Sequence, residues 1–461
     1  MCRVCSRPNG EDTQRCSNCW ANRPEDTELL DLSDARALTT RIRRSRASTR
    51  ALRWVAGVAI AALIAAWFIL PNLGVAFFQS EPSLDISSSP SGSDWPMYQR
   101  DLARTGAAPD GAVAPVGVLK WRYDADGPIY ASPAVVNGTI YLATGYGSIV
   151  ALNSETGEEV WKHNVEGSLN SSPSVAGNML FIGRYDGGVE ARELESGDVR
   201  WEFMTKARVI SSPAVDRGVV YIGSGDGNLY ALDAGTGKER WTYETGNWIS
   251  SSPTVFDDFV AIASFDGLLH VVYRKTGKKR LEFRLSETPR SSATFGERHL
   301  LVTDGRGRLK AVDWRKRTLP LEWLWLKIRV QLLYWGMVDT LPNQKGFVWG
   351  VTTRDPFMST PVVSDGLVYV ANFGGEVIAA DESTGEVVWQ TQVGAPVSGS
   401  MSAVADVVLV GDTDGVLHSL DAHTGELRWQ FETGGQISGT PVVAGGVVYL
   451  GSWDGVVYAV E

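Results

Sequence analysis

The residues with the clearest chemical potential are four cysteines, and all of them lie in the first 19 positions of the 461-residue chain. Cys2 and Cys5 form one CxxC pair, and Cys16 and Cys19 form a second. Four thiolates on two tight turns suit a closed, tetrahedral zinc site. A segment this short needs a metal to fold, because it cannot bury a hydrophobic core. We therefore predict one structural zinc ion in a ribbon over residues 1–22.

Disulfides and a redox CxxC pair are the alternatives for these cysteines. Disulfides conflict with the reducing compartment that is predicted below for the head, and a redox site needs a single pair in a βαβ context. An iron-binding site has no support in the sequence. The segment resembles the short zinc ribbons that precede membrane helices in many bacterial and archaeal proteins.

Other motifs that carry chemistry are weak or missing. The five histidines are scattered along the chain, which is not the ligand pattern of a zinc site. The sequence contains no GxSxG, P-loop or HExxH motif. The net charge of −10 argues against a nucleic-acid binder, because that class needs a basic surface.

A long uncharged segment separates the head from the body. Residues 54–78 carry no charge and consist mainly of Ala, Ile, Leu, Val and Phe. A helix of that length spans about 37 Å, which exceeds the roughly 30 Å of bilayer hydrocarbon. A core helix rarely runs so far without a charge, and a cleavable signal peptide does not follow a soluble domain. We predict a single-pass membrane helix in the cell membrane.

The charges on either side of this helix predict its orientation. The basic linker, residues 23–53, ends in six arginines without an acid among them, whereas residues 79–94 carry acids and no base. By the positive-inside rule, the N-terminus is cytoplasmic and the C-terminal body is extracytoplasmic. Residues 79–94 are rich in Ser and Pro, which predicts a flexible tether within a lead-in over residues 79–113.

The body is a tandem repeat, in which the markers recur at a constant spacing except across one longer gap. Ser-Pro or related pairs mark one position of each repeat: Ser132, Ser172, Ser212, Ser252, Ser292, Thr360, Ser400 and Thr440. Tryptophans mark a second position, with leucines in two slots: Trp121, Trp161, Trp201, Trp241, Leu281, Leu321, Trp389 and Trp429. Each repeat reads as four short strands joined by Gly-containing turns, which is typical of a propeller blade.

The two ends of the repeat region complement each other. The last repeat lacks a fourth strand, and residues 118–124 supply one before the first repeat. An open solenoid does not need its first strand to complete its last repeat. The sequence therefore predicts an all-β, eight-bladed β-propeller over residues 114–461, closed by this strand and preceded by the zinc ribbon and the membrane helix.

Four segments resemble the tryptophan-docking motif of pyrroloquinoline-quinone (PQQ) type propellers: residues 151–161, 231–241, 379–389 and 419–429. The segment DWPMYQRDLARTG, residues 94–106, is similar to the lead-in before many of these propellers. The resemblance implies that each tryptophan packs against the neighbouring blade and has a structural role.

The resembled family has two functional branches. Its quinone-dependent alcohol and sugar dehydrogenases bind PQQ and calcium, and many use a vicinal cysteine pair and a catalytic aspartate. This chain has no cysteine after Cys19 and lacks the long loops that build the cofactor pocket. It is closer in size to the non-enzymatic branch, which includes the propeller of the outer-membrane β-barrel assembly machinery. We therefore expect no PQQ and no enzyme activity.

The resemblance and the topology together predict a membrane-anchored binding or scaffold module for a protein or envelope partner. A quinone-dependent dehydrogenase is one alternative. A transmembrane sensor, in which the propeller binds a ligand and the zinc ribbon signals inside, is the other.

Binding residues are expected in the loops that lead into the inner strand of each blade, because these loops vary most among the repeats. The predicted contacts are Tyr130, Asn170, Arg208, Trp248, Arg290 and Arg354. Aspartates in one hairpin-turn position are typical turn residues and are expected to make the same face acidic: Asp186, Asp226, Asp266, Asp414 and Asp454.

One repeat carries an insertion, since the markers Ser292 and Thr360 are much further apart than any other neighbouring pair. The extra segment, about residues 319–350, is apolar and rich in tryptophan, and its pattern does not decide between a strand and a short helix. One interpretation is a flap that covers blades five and six. The other is an exposed surface that docks a partner or rests on the bilayer. Its predicted docking residues are Trp323, Trp325, Arg329 and Trp335.

Overall fold

The computed structural model describes most of the C-terminal body and little of the head. It forms two compact units, Met1–Leu70 and Pro71–Glu461. The described residues are 15, 40–41, 54–62, 80–318, 322–339 and 344–461. The four cysteines of the predicted zinc ribbon lie outside the described residues, so the zinc site stays a prediction.

The predicted membrane helix is described in part. Residues 54–62 are helical, and the remainder of the span to residue 78 lies outside the described residues. Among the residues that the structure describes, we find no helix that is both long and apolar enough to span a membrane. Membrane anchoring therefore stays a prediction.

In the described part of the body, the strands form eight antiparallel sheets of four strands each. We number the strands in chain order. The inner strands are β2 (Ala134–Val136), β6 (Ser174–Ala176), β10 (Ala214–Asp216), β14 (Thr254–Phe256), β18 (Thr294–Phe295), β22 (Val362–Ser364), β26 (Ser402–Val404) and β30 (Val442–Ala444). The second strands are β3 (Thr139–Ala143), β7 (Met179–Gly183), β11 (Val219–Gly223), β15 (Phe259–Ser264), β19 (Leu300–Asp304), β23 (Leu367–Ala371), β27 (Val407–Gly411) and β31 (Val447–Gly451).

The third strands are β4 (Ser148–Asn153), β8 (Gly188–Glu193), β12 (Asn228–Asp233), β16 (Leu268–Tyr273), β20 (Arg308–Val312), β24 (Glu376–Asp381), β28 (Val416–Asp421) and β32 (Val456–Val460). The outer strands are β5 (Glu159–Asn164), β9 (Val199–Met204), β13 (Glu239–Glu244), β17 (Lys279–Arg284), β21 (Phe347–Thr352), β25 (Val387–Gln392), β29 (Leu427–Glu432) and β1 (Leu119–Asp124). A single described helix of the body, Glu322–Tyr334, lies between β20 and β21.

The ring closes through β1, the first strand among the described residues. β1 pairs antiparallel with β32, with Leu119 opposite Val460 and Asp124 opposite Val456. This strand completes the eighth sheet, in the order β1-β32-β31-β30. The predicted eight-bladed propeller and its closure by residues 118–124 are confirmed.

Tryptophans join neighbouring blades in the same way around the described ring. Each indole Nε1 donates to a backbone carbonyl in the turn of the next blade, at 2.8–3.1 Å: Trp121 to Ser154, Trp161 to Leu194, Trp201 to Ala234, Trp241 to Arg274, Trp349 to Glu382, Trp389 to Ala422 and Trp429 to Pro115. The glycine of that turn lies under the ring, since a Cβ on Gly237 would be 2.7 Å from Trp201. The packing role implied by the resemblance is therefore observed.

The assignment of Leu321 to this series is wrong. Trp349 occupies the slot, one repeat length before Trp389, because the insertion precedes the outer strand of blade five rather than following it. The insertion thus runs from the end of β20 to the start of β21. Leu281 keeps its slot, and Trp314 covers that part of the core by packing on three phenylalanines, with ring centroids 5.4–5.9 Å apart: Phe256, Phe259 and Phe295.

The antiparallel strands give the propeller two different faces. Turns after the second and fourth strands of a blade lie at one end of its sheet, and turns after the first and third lie at the other. We call the first end the mouth face; in blade one it holds residues 144–147 and 165–170. The opposite end is the lead-in face, with residues 137–138 and 154–157 in the same blade.

The lead-in packs across the lead-in face, which corrects the prediction of a flexible tether. The Ser88 N–H donates to the Val215 carbonyl at 2.8 Å, and Trp95 exchanges two backbone hydrogen bonds with Val135 at 2.7 and 2.9 Å. Other lead-in carbonyls accept from further inner strands: Pro96 from Val175, Leu102 from Val255, Ala103 from Phe295, Thr105 from Val363 and Gly106 from Ala403. The lead-in thus pairs with backbone groups that the inner strands leave open in seven blades.

Candidate functional site: the axial well

The Ser-Pro markers of the repeat meet around the propeller axis. In seven of the eight blades, the backbone N–H of the marker donates to the marker hydroxyl of the next blade, at 2.7–3.1 Å. The links run from Ser132 to Ser172, Ser172 to Ser212, Ser212 to Ser252, Ser252 to Ser292, Ser292 to Thr360, Thr360 to Ser400 and Thr440 to Ser132. The repeat therefore builds a ring of hydroxyl groups that ties the inner strands together.

Tyr98 of the lead-in closes this ring from the lead-in face. Its hydroxyl hydrogen-bonds Thr360 Oγ1 at 2.8 Å and Ser400 Oγ at 2.9 Å. Beside it, the Gln99 side-chain amide donates to Thr440 Oγ1 at 3.2 Å. The axis is thus blocked at this end, and a ligand can approach it from the mouth face.

Arg104 holds the closing segment in place. Its side chain is fully buried, and its guanidinium donates to the carbonyls of Tyr98, Ser212 and Pro253. Burial lowers the pKa of Arg104 to about 10, so the group is still charged at neutral pH. A charged fork that serves several carbonyls fixes the lead-in to two different blades.

A blind well of about 170 Å³ lies above Tyr98. Its wall contains the residue two positions before each marker: Tyr130, Asn170, Ile210, Ser250, Arg290, Met358, Ser398 and Ser438. In several blades, the residue directly before this lining residue is apolar and buried, for example Ile129, Leu169 and Ile249. Extended chain alternates its side chains, so the buried residue turns its neighbour toward the axis.

Three of the six predicted contacts line this well: Tyr130, Asn170 and Arg290. Arg208 and Trp248 stand four positions before their markers and stack on each other, with the guanidinium carbon 3.9 Å from the indole centroid. They lie on the mouth face beside the well, in a zone that we call the rim. Arg354 is exposed and is not among the residues that line the well.

Five lining residues were missed: Ile210, Ser250, Met358, Ser398 and Ser438. Polarity and aromatic character selected the predicted contacts, and these residues are small or apolar. The repeat period carried the necessary signal, because every lining residue keeps the same offset from its Ser or Thr marker.

The hairpin turns of the mouth face add exposed aromatic residues that composition did not single out. Tyr146 is 75% exposed, and Tyr185, Phe373 and Trp453 are 43–46% exposed. Trp453 Nε1 donates to the Ser438 hydroxyl at 2.8 Å, which fixes the indole at the edge of the well. The recurrence of aromatic residues at one turn position could have revealed them.

The hairpin aspartates stabilise these turns. The Asp226 carboxylate accepts hydrogen bonds from the Tyr230 hydroxyl at 2.7 Å and from the backbone N–H groups of Lys206 and Asn228 at 3.0 Å. Burial alone would raise the pKa of Asp226, but these hydrogen bonds outweigh it and hold the pKa below its usual value. Asp266 accepts equivalent backbone hydrogen bonds in the next blade. These carboxylates therefore position the loops of the mouth face.

The lining residues do not fit PQQ with calcium. Calcium takes six to eight oxygen ligands, which usually include carboxylates. The residues that the structure describes around the well include no Asp or Glu and so supply no carboxylate. The well is also smaller than the roughly 300 Å³ at which small-molecule pockets usually begin. Across the described residues, no cluster of three His, Cys, Asp or Glu side chains is arranged to hold a metal ion.

The sequence of the propeller matches a family model in two parts. The model, outer membrane protein assembly factor BamB, covers residues 111–247 and 374–461. These parts hold the closing strand with blades one to three, and most of blades six to eight. Blades four and five, with the insertion, lie in the unmatched region. No curated protein matches the chain.

Several solved structures share this fold. BamB from Moraxella catarrhalis is 19% identical, with a TM-score of 0.60 over 74% of this chain and 96% of that one. Quinohemoprotein alcohol dehydrogenase from Comamonas testosteroni is 16% identical, with a TM-score of 0.65 over 81% of each chain. The computationally designed Ika8 protein is 16% identical, with a TM-score of 0.61 over 76% of this chain and 99% of that one. The body of this chain is thus an eight-bladed propeller that is similar in sequence to BamB in its first and last blades and shares its fold with these solved structures.

Proposed function

We propose that this chain is a membrane-anchored, extracytoplasmic propeller that binds a protein partner on its mouth face. The observation that carries the proposal is the rim of exposed aromatic and arginine side chains around the blind well. Trp, Tyr and Arg are enriched at the centres of protein interfaces and dominate their binding energy. The name of the matching family, an outer membrane protein assembly factor, supports a partner in the cell envelope.

The rim is rigid enough to act as a preformed surface. The Arg208 guanidinium lies over Trp248 and donates to the Tyr185 hydroxyl at 2.6 Å. Trp453 packs edge-on against Tyr130, with ring centroids 5.1 Å apart. Side chains that are held before binding lose less entropy in the complex.

The well adds chemical selectivity to this surface. Arg290 is the charged group among its described lining residues, and the others offer hydroxyl, amide and apolar groups. A partner side chain that enters the well is therefore expected to present a carboxylate or another hydrogen-bond acceptor to Arg290.

Site-specific photocrosslinking in native membranes tests this proposal. A photoreactive amino acid in place of Trp453 is expected to give one discrete protein adduct, because the side chain lies at the centre of the proposed interface. The matched control is Val388 on the outer strand β25, which is similarly exposed but lies on the circumference. Alanine at Tyr185 is expected to lower adduct yield by about tenfold, the size of a modest hot spot.

Equal labelling from Trp453 and Val388, or no adduct at either position, would contradict a mouth-face partner. Titration of the purified chain with PQQ and calcium separates the enzyme alternative. Stoichiometric quinone binding with alcohol oxidation would favour a dehydrogenase instead.

We further propose that the cytoplasmic head holds one zinc ion through Cys2, Cys5, Cys16 and Cys19. Elemental analysis of the purified full chain is expected to give one zinc per chain, and the paired change Cys16→Ser with Cys19→Ser is expected to remove it. Two thiolates cannot replace the four of a structural site. Zinc at unchanged stoichiometry in the paired variant would show that these cysteines are not its ligands.

A further inference from the structure

The insertion of blade five presents a helix whose side chains are open to solvent. It joins the third strand of the blade, which ends at Val312, to the outer strand, which begins at Phe347. Its helix is Glu322–Tyr334, and every described side chain from 324 to 334 is exposed or half-exposed. The helix is therefore not a flap buried on blades five and six.

Apolar side chains lie on all sides of the helix, between Lys327, Arg329 and Gln331. Leu324, Trp325 and Leu326 are consecutive and hence about 100° apart around the axis, and Ile328 and Val330 continue the pattern. All five side chains are 41–57% exposed. A helix that docks in a protein groove shows one apolar stripe and a polar opposite face. A helix that is apolar all round is typical of a segment surrounded by an apolar medium.

The dimensions and ends of the helix suit the membrane interface. Its 13 residues span about 20 Å, which is short of the roughly 30 Å of bilayer hydrocarbon. Tyr334 and Trp335 at its C-terminal end are highly exposed, and such side chains favour the headgroup level. Lys327 and Arg329 have long stems, which let their charges reach the headgroups while apolar neighbours lie deeper.

The insertion leaves its blade at the lead-in face and then follows the outer strand of blade four, β17. The Thr318 N–H donates to the Arg280 carbonyl at 3.0 Å, and the Glu282 N–H donates to Thr318 Oγ1 at 2.8 Å. The insertion helix therefore starts from the circumference of the propeller, beside blade four.

Basic residues lie in the first part of the insertion. Arg315, Lys316 and Arg317 are exposed and follow β20 after Asp313 and Trp314. Asp313 is 3.9 Å from Arg315 and 3.6 Å from Lys316, so it offsets part of this charge. Basic groups near an anionic membrane favour binding to it. The patch contrasts with the net negative charge of the chain.

We infer that the insertion helix is a second membrane contact, which lies at the boundary between the headgroups and the acyl chains of an anionic phospholipid bilayer. The inference rests on the proposed membrane anchor, which keeps the body near a bilayer, and on the exposed helix itself for the contact.

Fluorescence quenching on the full-length chain in vesicles tests this membrane contact. The vesicles contain equal amounts of phosphatidylcholine and phosphatidylglycerol. An environment-sensitive fluorescent amino acid replaces Val330 in one variant and Tyr146, on the mouth face, in the matched control. We expect nitroxide-labelled lipid to quench the Val330 probe, and aqueous iodide to quench it at least about fivefold less than the Tyr146 probe.

Two results would overturn the inference. Iodide quenching of the Val330 probe to the same extent as the Tyr146 probe would place the helix in water. Protection from both quenchers would mean that protein covers it, from a partner or a second copy. Flotation of the vesicles separates the two proposals: a chain that floats while its Val330 probe is open to iodide keeps its anchor and lacks the second contact. A chain that does not float has neither.

Discussion

Replacement of Arg104 by alanine is expected to lower the free energy of unfolding by at least about 3 kcal/mol. The fully buried guanidinium donates to the carbonyls of Tyr98, Ser212 and Pro253. Its loss leaves these carbonyls without a donor and opens a cavity between the lead-in and the inner strands. The midpoint of chemical denaturation, followed by tryptophan fluorescence, measures the change.

Arg122→Ala is the matched control, because Arg122 is exposed on the outer strand β1, and its effect is expected to stay within about 0.5 kcal/mol. Proteolysis adds a local readout: Arg104→Ala is expected to increase cleavage within residues 80–113 before the blades unfold. Equal midpoints for the two variants would show that the lead-in does not contribute to closing the axis.

Replacement of Trp241 by alanine is expected to cost about 3–5 kcal/mol. The indole is nearly buried between blades three and four, donates to the Arg274 carbonyl at 2.9 Å and covers Gly277. The matched control is Trp453→Ala, because that indole stands on the mouth face and is 46% exposed. It is expected to change stability by less than about 1 kcal/mol.

A double-mutant cycle with Gly277→Ala tests whether the indole and the glycine act as one unit. A Cβ at Gly277 would lie 2.6 Å from the Trp241 ring, and the backbone there has a positive φ of 64°. In the parent chain, the new methyl group meets both strain and a clash. In the Trp241→Ala background only the strain remains, so the double variant is expected to be more stable than the sum of the single effects. Simple additivity would contradict direct packing between the two positions.

The chain itself contains a natural counterpart of this cycle. In the fourth blade, Leu281 replaces the docking tryptophan. Arg317 then occupies the position that corresponds to Gly277. Without a large ring to cover, the turn no longer needs a residue without a side chain. The chain departs from the repeat here, at the start of the insertion. Trp314 covers the part of the core that a docking tryptophan would cover, and it packs on Phe295 and its neighbours.

The two faces of the propeller differ in what they carry. The mouth face carries the aromatic rim and the well, whereas the lead-in face carries the packed lead-in segment. A scaffold of the proposed kind can present its mouth face to partners without rearrangement, because its blades are fixed by the hydroxyl ring and the tryptophan contacts.

The sequence by itself determined the number of blades, their order and the closing strand. These properties depend on markers that recur at a constant spacing, so each repeat confirms the others. The docking role of the tryptophans was implied by the resemblance of four segments to the motif of PQQ-type propellers. The insertion was located but its bounds were wrong, because Leu321 imitates the slot that Trp349 fills.

Only the tertiary structure decided what happens at the axis. Ser88, Tyr98 and Arg104 lie in a Ser/Pro-rich or irregular segment whose composition predicts a loose chain, yet their partners belong to blades that are distant in sequence. The short inner strands leave backbone groups that a distant segment must satisfy. No local pattern records these contacts, because they arise only when the ring closes and brings these residues together.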